Sequence, residues 1–279
     1  MILIGDLHCH SCLSDGSTPV DRVVELAKRA GMDFIALTDH DTMLGVSRAA
    51  GLGKRIGLEV VPGVEISTRD SKTGRNAHLL CYMPLYPSKL EPMLEATLSS
   101  RNEQAEKALA EVSKIYPVTK KDVLRAANGS AAIYRQHIML ALMEQGYSQA
   151  VFSDFFGKVF DSIPYQIKLP DTREAADAVR AAGGVAVLAH PGWYDSMELA
   201  WELAESGRIQ GIELSHPRND SECKKEIVRL MAEYTLVPTG GSDYHGFYTS
   251  NPHPIGTCTT PREALTLLRR VRDRLNGAG

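Results

Sequence analysis

Short apolar runs alternate with amphipathic segments along most of this 279-residue chain, and this alternation restricts its fold more than any other feature. The apolar runs have the length of β-strands, and helical patterns lie between many of them, as in parallel α/β proteins. The runs cover residues 2–8, 34–38, 58–66, 77–82, 185–189, 211–214 and 236–240. The sequence therefore predicts an α/β fold with seven strands.

The alternation stops between residues 88 and 164, where helical patterns follow one another without an apolar run between them. These helical patterns cover residues 99–115, 120–127 and 135–144. We interpret residues 88–164 as a helical insertion, or cap domain, and residues 1–87 together with 165–279 as the main domain. A barrel-like (β/α)7 core is the simplest main domain of this kind, and an open doubly wound sheet is the structural alternative.

The charge and the apolar content exclude some classes of partner. With a formal net charge of −3, the chain has no global field that would recruit nucleic acid or an anionic membrane. No apolar run approaches the length of a transmembrane helix, and the N-terminus resembles a strand and not a signal peptide. The five scattered cysteines suit reduced thiols. We expect a cytoplasmic protein without a membrane partner or a stable nucleic-acid partner, and the sequence leaves the oligomeric state open.

Histidines and carboxylates gather at the ends of the predicted strands. Six of the nine histidines, two aspartates and one glutamate fall at the carboxyl end of a strand or in the turn after it. These residues are His8, His10, Asp15, His40, Glu65, His78, His190, Asp243 and His245. In α/β barrels these strand ends form the rim that carries the active site. One histidine at a strand end is usually an ordinary polar residue, but nine such residues on one rim indicate a metal site.

The ligand types narrow the choice of metal. Imidazole and carboxylate without cysteine suit Mn²⁺, Fe²⁺ or Zn²⁺ in an open site, and not a closed structural zinc site. Nine ligands exceed the needs of one ion, so we expect two or three divalent ions, with Mn²⁺ as the first candidate and a carboxylate such as Glu65 as a bridge. Such ions activate bound water and stabilise charge on a phosphoryl group. The sequence therefore predicts metal-dependent hydrolysis.

Six short segments together resemble the polymerase and histidinol phosphatase (PHP) family. They read Asp6-Leu-His8-Cys-His10-Ser, Ser14-Asp15-Gly16, Thr38-Asp-His40-Asp, Pro62-Gly-Val-Glu65-Ile-Ser, Ala189-His190-Pro and Ser242-Asp243-Tyr-His245. They occur in the family's order and span nearly the whole chain. The resemblance implies a distorted seven-stranded barrel of the amidohydrolase-like superfamily. It also implies that a hydroxide bridging two metal ions, held by Glu65, His190 and Asp243, attacks phosphorus.

The resemblance also distributes the ligands over three ions. The first ion takes His8, His10, Glu65 and Asp243; the second shares Glu65 and takes His78 and His190; the third takes Asp15, His40 and His245. Three further acids, Asp6, Asp39 and Asp41, either orient ligand histidines or cap turns.

Two segments of the insertion region indicate the type of substrate. Tyr134-Arg135-Gln136-His137 and Pro164-Tyr-Gln-Ile-Lys168 resemble the subgroup of 3′,5′-nucleoside bisphosphate phosphatases and cyclic-phosphate hydrolases. In that subgroup the matching Arg, His and Lys hold phosphate, which implies that Arg135, His137 and Lys168 contact the substrate. The alternative for Arg135 and Lys168 is a solvated helix face.

For His216 and Trp193, which we expect on the same rim, the sequence leaves two interpretations open. His216 follows the sixth strand and either acts on the substrate, as a contact or as the proton donor to the leaving group, or has a structural role. Relatives often have Arg where this chain has Trp193, which removes one phosphate clamp and weakens the bisphosphate assignment. Trp193 either stacks on a base or sugar of the substrate or covers the core.

The sequence therefore predicts a phosphoesterase that acts on a small nucleotide or sugar phosphate, such as a 3′,5′-bisphosphate or a cyclic phosphate. Within enzymes the alternative is a histidinol phosphate phosphatase, against which the insertion argues. Another alternative is a non-catalytic PHP module associated with a polymerase, but the chain carries no polymerase region and no basic face. A metal-binding protein without turnover would not need so many ligands.

Overall fold

Eight strands form a single sheet within residues 3–277, the part of the chain that this computed structural model describes. The strands are β1 (Ile4–Cys9), β2 (Phe34–Leu37), β3 (Glu59–Arg69), β4 (Asn76–Tyr82), β5 (Val185–Leu188), β6 (Gly211–Ser215), β7 (Val237–Gly240) and β8 (Thr260–Pro261). Their order in the sheet is β7-β6-β5-β4-β3-β2-β1-β8. β1 to β3 are parallel, as are β5 to β7, whereas β4 is antiparallel to both of its neighbours and β8 is antiparallel to β1.

The segment after β7 closes this sheet onto β1. The Asp243 N–H donates to the His8 carbonyl at 3.0 Å, and the His10 N–H donates to the Tyr244 carbonyl at 2.9 Å. Gly241 permits this close approach, because a Cβ there would lie 2.3 Å from the Cβ of His8. The sheet is thus a nearly closed barrel, as predicted, and the open doubly wound alternative is wrong.

The prediction of seven parallel strands is wrong at β4. The turn between β3 and β4 is closed by a hydrogen bond from the Asp70 N–H to the Arg75 carbonyl (2.8 Å), and a connection this short joins only antiparallel strands. In the resulting register Ser67 faces His78. Because β4 runs in the opposite direction, its first residues lie on the rim where the parallel strands end. His78 therefore reaches the predicted rim from the start of its strand, and not from the end.

The helices follow the predicted alternation, with α3 to α6 inserted between β4 and β5. They are α1 (Val20–Arg29), α2 (Val46–Ile56), α3 (Glu91–Val112), α4 (Lys120–Ala127), α5 (Arg135–Glu144), α6 (Asp154–Phe160), α7 (Thr172–Ala181), α8 (Met197–Glu205), α9 (Ser221–Tyr234) and α10 (Arg262–Leu275), and a 3₁₀ turn precedes α3 (Pro87–Lys89). α4 and α5 have the predicted bounds, and α3 begins earlier than its charged pattern indicates. Within residues 3–277, no helix combines the length and the apolar character that crossing a membrane requires.

The inserted helices have an apolar cluster of their own and attach to the rim of the barrel. Ala108, Ile138, Leu142 and Phe160 belong to this cluster, and Tyr248, from the segment after β7, packs into it. Backbone and side-chain hydrogen bonds tie the loop before α5 to the β1–α1 loop: the Ala131 N–H donates to the Leu13 carbonyl (2.8 Å) and the Ser130 hydroxyl to the Ser14 carbonyl (2.7 Å). The N-terminus of α5 is thereby held next to the loop that follows β1.

Candidate metal centre

Five imidazole rings surround the buried carboxylate of Glu65 on the rim. Its Oε1 lies 2.8 Å from His78 Nδ1 and 2.9 Å from His190 Nε2. Its Oε2 lies 3.0 Å from His8 Nε2, 3.1 Å from His10 Nε2 and 3.3 Å from His40 Nδ1. Burial alone would raise the pKa of Glu65, but the neighbouring histidines hold it well below its ordinary value. The carboxylate is therefore ionised and has both oxygens available to cations, and its role as a shared ligand stays a prediction.

Two further carboxylates complete the cluster. Asp243 Oδ1 lies 3.5 Å from His8 Nε2 and 3.2 Å from His10 Nε2, beside the Glu65 oxygens. Asp15 Oδ1 lies 3.2 Å from His245 Nε2. All nine predicted ligands thus lie in one continuous group on the rim. Groups of ligand atoms close enough to share one ion are His8, His10, Glu65 and Asp243; His10, Asp15, His40 and His245; His40, Glu65 and His78; and His8, Glu213 and His216.

Many of the nitrogen and oxygen atoms in this cluster have no hydrogen-bond partner although they are buried. Among them are His8 Nε2, both ring nitrogens of His10 and Glu65 Oε2. Buried polar atoms in proteins are almost always hydrogen-bonded, so several orphans that face one another call for a cation between them. Neutral imidazole nitrogens and ionised carboxylates are also the donors that divalent transition metals take. The residues present therefore fit a metal centre, while the distribution over three ions stays a prediction.

Two of the predicted ligands have a left-handed backbone that non-glycine residues rarely adopt. The φ angle is +26° at His190 and +53° at Asp243. Such a conformation costs on the order of 1–3 kcal/mol and persists where the surrounding structure enforces it. At both positions the strand has just ended, and the backbone turns so that the side chain faces the cluster. This strain is typical of a functional site.

Glu213 orients two of the predicted ligands, and the sequence interpretation missed it. Its Oε1 lies 3.1 Å from His8 Nδ1, and its Oε2 accepts the His190 backbone N–H at 2.9 Å. The side chain is buried within β6. A hydrogen bond to Nδ1 fixes the tautomer of the ring and leaves Nε2 as the metal-binding atom. The available signal was an acid between Ile212 and Leu214 in an apolar strand.

The three other acids of the family segments serve loops and not histidine rings. Asp6 accepts the backbone N–H groups of His8, Ser242 and Gly256. Asp39 accepts from the Ser11 N–H and from the hydroxyls of Ser11 and Ser14. Asp41 accepts from Ser67 and forms an ion pair with Arg101 of α3 at 3.0 Å. Of the two interpretations of these acids, their contacts support the turn-capping one.

A cavity of about 380 Å³ lies above the cluster, between the rim and the cap, and Arg135 forms part of its wall. Aromatic rings hold the guanidinium of Arg135, whose Cζ lies 5.4 Å from the ring centre of Phe156, 5.8 Å from that of Phe160 and 5.0 Å from that of Tyr165. A guanidinium held on ring faces keeps its N–H groups available for an anion. Arg135 therefore lies where the sequence predicts a phosphate contact.

Comparison with known proteins agrees with this arrangement. The PHP domain family model matches residues 6–153 of the chain. The chain belongs to the PHP family. A phosphoribosyl 1,2-cyclic phosphate 1,2-diphosphodiesterase of Eggerthella lenta is 36% identical over 90% of this chain and 97% of that protein. A 3′,5′-nucleoside bisphosphate phosphatase of Chromobacterium violaceum is 28% identical over 86% of each chain.

A solved structure from Bifidobacterium adolescentis, described as a metal-dependent phosphoesterase, superimposes on this PHP protein with a TM-score of 0.86. The two chains are 29% identical, and the match covers 96% of this chain and 95% of the other. With the rim cluster and the family match, these relatives identify the chain as a phosphoric ester hydrolase of the metal-dependent phosphoesterase type.

Two of the predicted substrate contacts do not face the cavity of this PHP protein. His137 is only 1% exposed, and its Nδ1 accepts the Tyr134 backbone N–H at 3.1 Å as part of the N-terminal cap of α5. Lys168 is exposed, and its neighbours Ile167 and Leu169, without Lys168 itself, line a second cavity beside the cluster. For both residues the observed positions indicate local structural or surface roles, because the fold uses His137 to cap a helix and turns Lys168 outward.

The burial of His137 at the N-terminus of α5 also leads to a prediction about the pH dependence of stability. Burial lowers the pKa of His137 to about 4, so the folded state resists its protonation. The unfolded chain, with a pKa near 6.5, binds the proton first, and the free energy of unfolding therefore falls between about pH 6.5 and pH 4, by up to roughly 3 kcal/mol. The variant His137→Gln keeps an acceptor for the cap without titrating. We expect urea unfolding to show a smaller loss for this variant over that pH range; an equal loss would contradict the assignment.

Trp193, Arg218 and His216 lie together at the far side of the cavity. Trp193 is 49% exposed and lines the cavity, but the guanidinium of Arg218 covers one face of its ring at 3.9 Å. Arg218 was not identified from the sequence. His216 is buried beside the cluster, and its Nε2 lies 3.5 Å from Asp243 Oδ2. His216 thus reaches the rim, as predicted.

Proposed function

We propose that this PHP-family protein hydrolyses a small phosphate ester of a nucleotide or sugar, either a cyclic phosphate or a bisphosphate. One observation carries the proposal: a single cavity joins the orphaned ligand atoms around Glu65 to the guanidinium of Arg135. The first element suits divalent cations and the second suits phosphoryl oxygens. The names of the Eggerthella and Chromobacterium relatives support the choice of ester.

In this proposal, one set of side chains binds the metal ions and another binds the substrate. Two or three divalent ions, with Mn²⁺ as the first candidate and Fe²⁺ or Zn²⁺ as alternatives, would supply activated water and stabilise charge on phosphorus. Glu65, His190 and Asp243 would hold these ions on the rim, below the cavity. The planar fork of Arg135 binds two phosphoryl oxygens and so orients the ester above the rim.

We assign the protonation of the leaving group to His216. Its Nδ1 accepts the Arg218 backbone N–H at 3.0 Å, and in the neutral ring the proton then resides on Nε2. Nε2 has no hydrogen-bond partner among the described residues, and His216 lines the cavity. A ring with its proton on Nε2 is a proton donor toward the cavity and a poor metal ligand, which separates His216 from the nine predicted ligands.

The dimensions and the charge of the protein favour a small substrate over a polymer. A cavity of about 380 Å³ has the size of a small-molecule site. The net charge of −3 supplies no field along which a nucleic acid would bind. Cys9, Cys12, Cys81, Cys223 and Cys258 are all free, which supports a reducing, cytoplasmic setting for the proposed activity.

A hydrolysis screen that separates the products by chromatography and also measures released phosphate tests the proposed function. The purified protein is assayed with Mn²⁺, Fe²⁺ or Zn²⁺ on phosphoribosyl 1,2-cyclic phosphate, adenosine 3′,5′-bisphosphate, adenosine monophosphates, histidinol phosphate and a short 5′-phosphorylated RNA. We expect turnover of the cyclic phosphate or the bisphosphate to exceed that of the other compounds. Preferred turnover of histidinol phosphate or of RNA would replace the proposal, and a metal-loaded protein that hydrolyses none of the compounds would refute it.

Arg135→Ala tests the phosphate contact. Because Arg135 touches no predicted metal ligand through an ion pair or hydrogen bond in the described residues, we expect unchanged metal content and a KM that rises roughly 10- to 100-fold. Arg125→Ala is the matched control, since Arg125 lies on the outside of the same cap and pairs with Glu144. Loss of metal together with activity in Arg135→Ala would show that Arg135 is structural.

A further inference from the structure

Arg218 lies in the wall of the cavity with its guanidinium supported by an aromatic ring. The guanidinium carbon is 3.9 Å from the centre of the Trp193 ring, and both side chains line the cavity above the metal ligands. No carboxylate within residues 3–277 forms an ion pair with Arg218. An arginine that stacks on a ring instead of pairing with an acid keeps its positive charge and its N–H donors for a ligand.

The two loops that carry this pair are fixed to each other and to β6. Asn219 accepts the Gly192 N–H through Oδ1 at 3.0 Å and donates through Nδ2 to the Glu213 carbonyl at 2.8 Å. Gly192 permits this close approach, because a Cβ there would lie 2.9 Å from the Arg218 carbonyl oxygen. The stacked pair is therefore set in place before a ligand binds, which lowers the entropic cost of binding.

The position of Arg218 changes the role of Trp193. The face that Arg218 covers is closed to a nucleobase or a sugar, so base stacking on that face is excluded. The Trp193 ring instead supports the guanidinium of Arg218 and fixes its position and its plane above the rim. A fixed planar cation with free N–H groups recognises phosphate oxygens far better than it recognises a base.

A second donor lies beside this cation. His253, from the segment after β7, lines the same cavity, and its buried Nε2 has no hydrogen-bond partner among the described residues. Burial and the nearby charge of Arg218 lower the pKa of His253, so the ring is neutral and brings an N–H without a second full charge. The hydroxyl-bearing residues Thr249 and Ser250 line the cavity next to it.

We propose that Arg218, supported by Trp193 and joined by His253, forms a subsite for a second, non-reacting phosphate of the substrate. The proposal rests on the proposed function and narrows it to esters that carry a phosphate at each end. Arg135 and the metal ligands take the reacting phosphate, and Arg218 takes the distal one across the same cavity. An ester that lacks the distal phosphate leaves Arg218 without its ligand and binds more weakly.

The test compares substrates that differ only in the distal phosphate. Metal-loaded protein is assayed on phosphoribosyl 1,2-cyclic phosphate and on ribose 1,2-cyclic phosphate, and on adenosine 3′,5′-bisphosphate and adenosine 3′-phosphate. We expect the wild type to prefer the doubly phosphorylated member of a pair by roughly 10- to 100-fold in kcat/KM. Arg218→Ala should reduce this ratio at least tenfold, mainly through KM, and Arg218→Lys should restore part of it.

Arg208→Ala serves as the control, since Arg208 pairs with Asp177 outside the cavity, and the ratio should not change. A ratio near one in the wild type, or a ratio that Arg218→Ala leaves unaltered, overturns the subsite. Equal loss on both members of a pair also overturns it, because Arg218 then acts on the reacting phosphate or on folding. If none of the four compounds is hydrolysed, the proposed function fails. The subsite is then tested separately, by measuring the binding of a phosphate compound.

That binding measurement uses Trp193 as the reporter. In a Trp201→Phe background Trp193 is the one remaining tryptophan of the sequence. Titration of the metal-loaded protein with ribose 5-phosphate and with ribose should give a saturable change in fluorescence with the phosphate compound alone. The change should disappear in Arg218→Ala and persist in Arg208→Ala. A signal that survives Arg218→Ala contradicts the subsite whatever the enzyme hydrolyses.

Discussion

Glu65→Gln is expected to lower metal content and to reduce the rate of ester hydrolysis about 10³-fold or more, equivalent to about 4 kcal/mol or more in the activation barrier. Both oxygens of Glu65 face imidazole nitrogens: two nitrogens lie near Oε1 and three lie near Oε2. Glutamine has nearly the same size, but it removes the negative charge and turns one ligand oxygen into an NH₂ group that repels cations. The carboxylate holds more of the cluster together than any single histidine does.

The control for this variant lies on the same strand. Glu59 begins β3 at the opposite end of the barrel and pairs with Arg262 and Arg269. Glu59→Gln should keep both metal content and turnover. Metal is measured by inductively coupled plasma mass spectrometry, and turnover by product formation from the best substrate of the screen. If Glu65→Gln retains full metal and normal turnover while the fold is intact by circular dichroism, the proposed metal centre is wrong.

The sequence was sufficient to predict the barrel because seven of the eight described strands have their own local signal. Six of the seven predicted runs lie in strands parallel to a neighbour, and their polar ends meet on one rim for that reason. The direction of β4 depends on a tight turn in which Gly74 has a φ of +74°. The segment Ser71-Lys-Thr-Gly74 is the sequence signal for this hairpin, and it lies between two runs that otherwise resemble the parallel strands. β8 has two residues and pairs with β1, so no local pattern could reveal it.

The site was predictable where residues follow strands and unpredictable where loops meet across the cavity. All nine candidate ligands lie in one cluster because the barrel itself brings strand ends together. The stacking of Arg218 on Trp193 depends instead on how the β5 and β6 loops fold against each other. Similarly, His137 and Arg135 are close in sequence, yet one caps a helix and the other faces the cavity. Helical spacing alone does not tell which of the two is buried in a cap.

Glu213→Gln is expected to weaken metal binding roughly 10- to 100-fold although Glu213 is not one of the nine predicted ligands. Burial would raise the pKa of Glu213, but the nearby His216 and His8 lower it, so the side chain is ionised in the folded protein. It then accepts from His8 Nδ1 and from the His190 backbone N–H with its two oxygens. A glutamine has one acceptor oxygen, so one of these two groups loses its partner and faces an NH₂ donor instead.

The affinity loss should come from misplaced ligands and not from unfolding. His8 without its Nδ1 partner is free to change tautomer, and His190 would lose the hydrogen bond that supports its left-handed backbone. Metal titration monitored by calorimetry measures the affinity, and Glu222→Gln on the exposed start of α9 is the control. Weaker metal binding with a small change in the free energy of unfolding supports orientation by Glu213. If the variant binds the metal ion with wild-type affinity but unfolds more easily, Glu213 is a stabilising core residue and does not orient the ligands. A carboxylate that sets the geometry of two ligands cannot be removed without a change in their affinity for the ion.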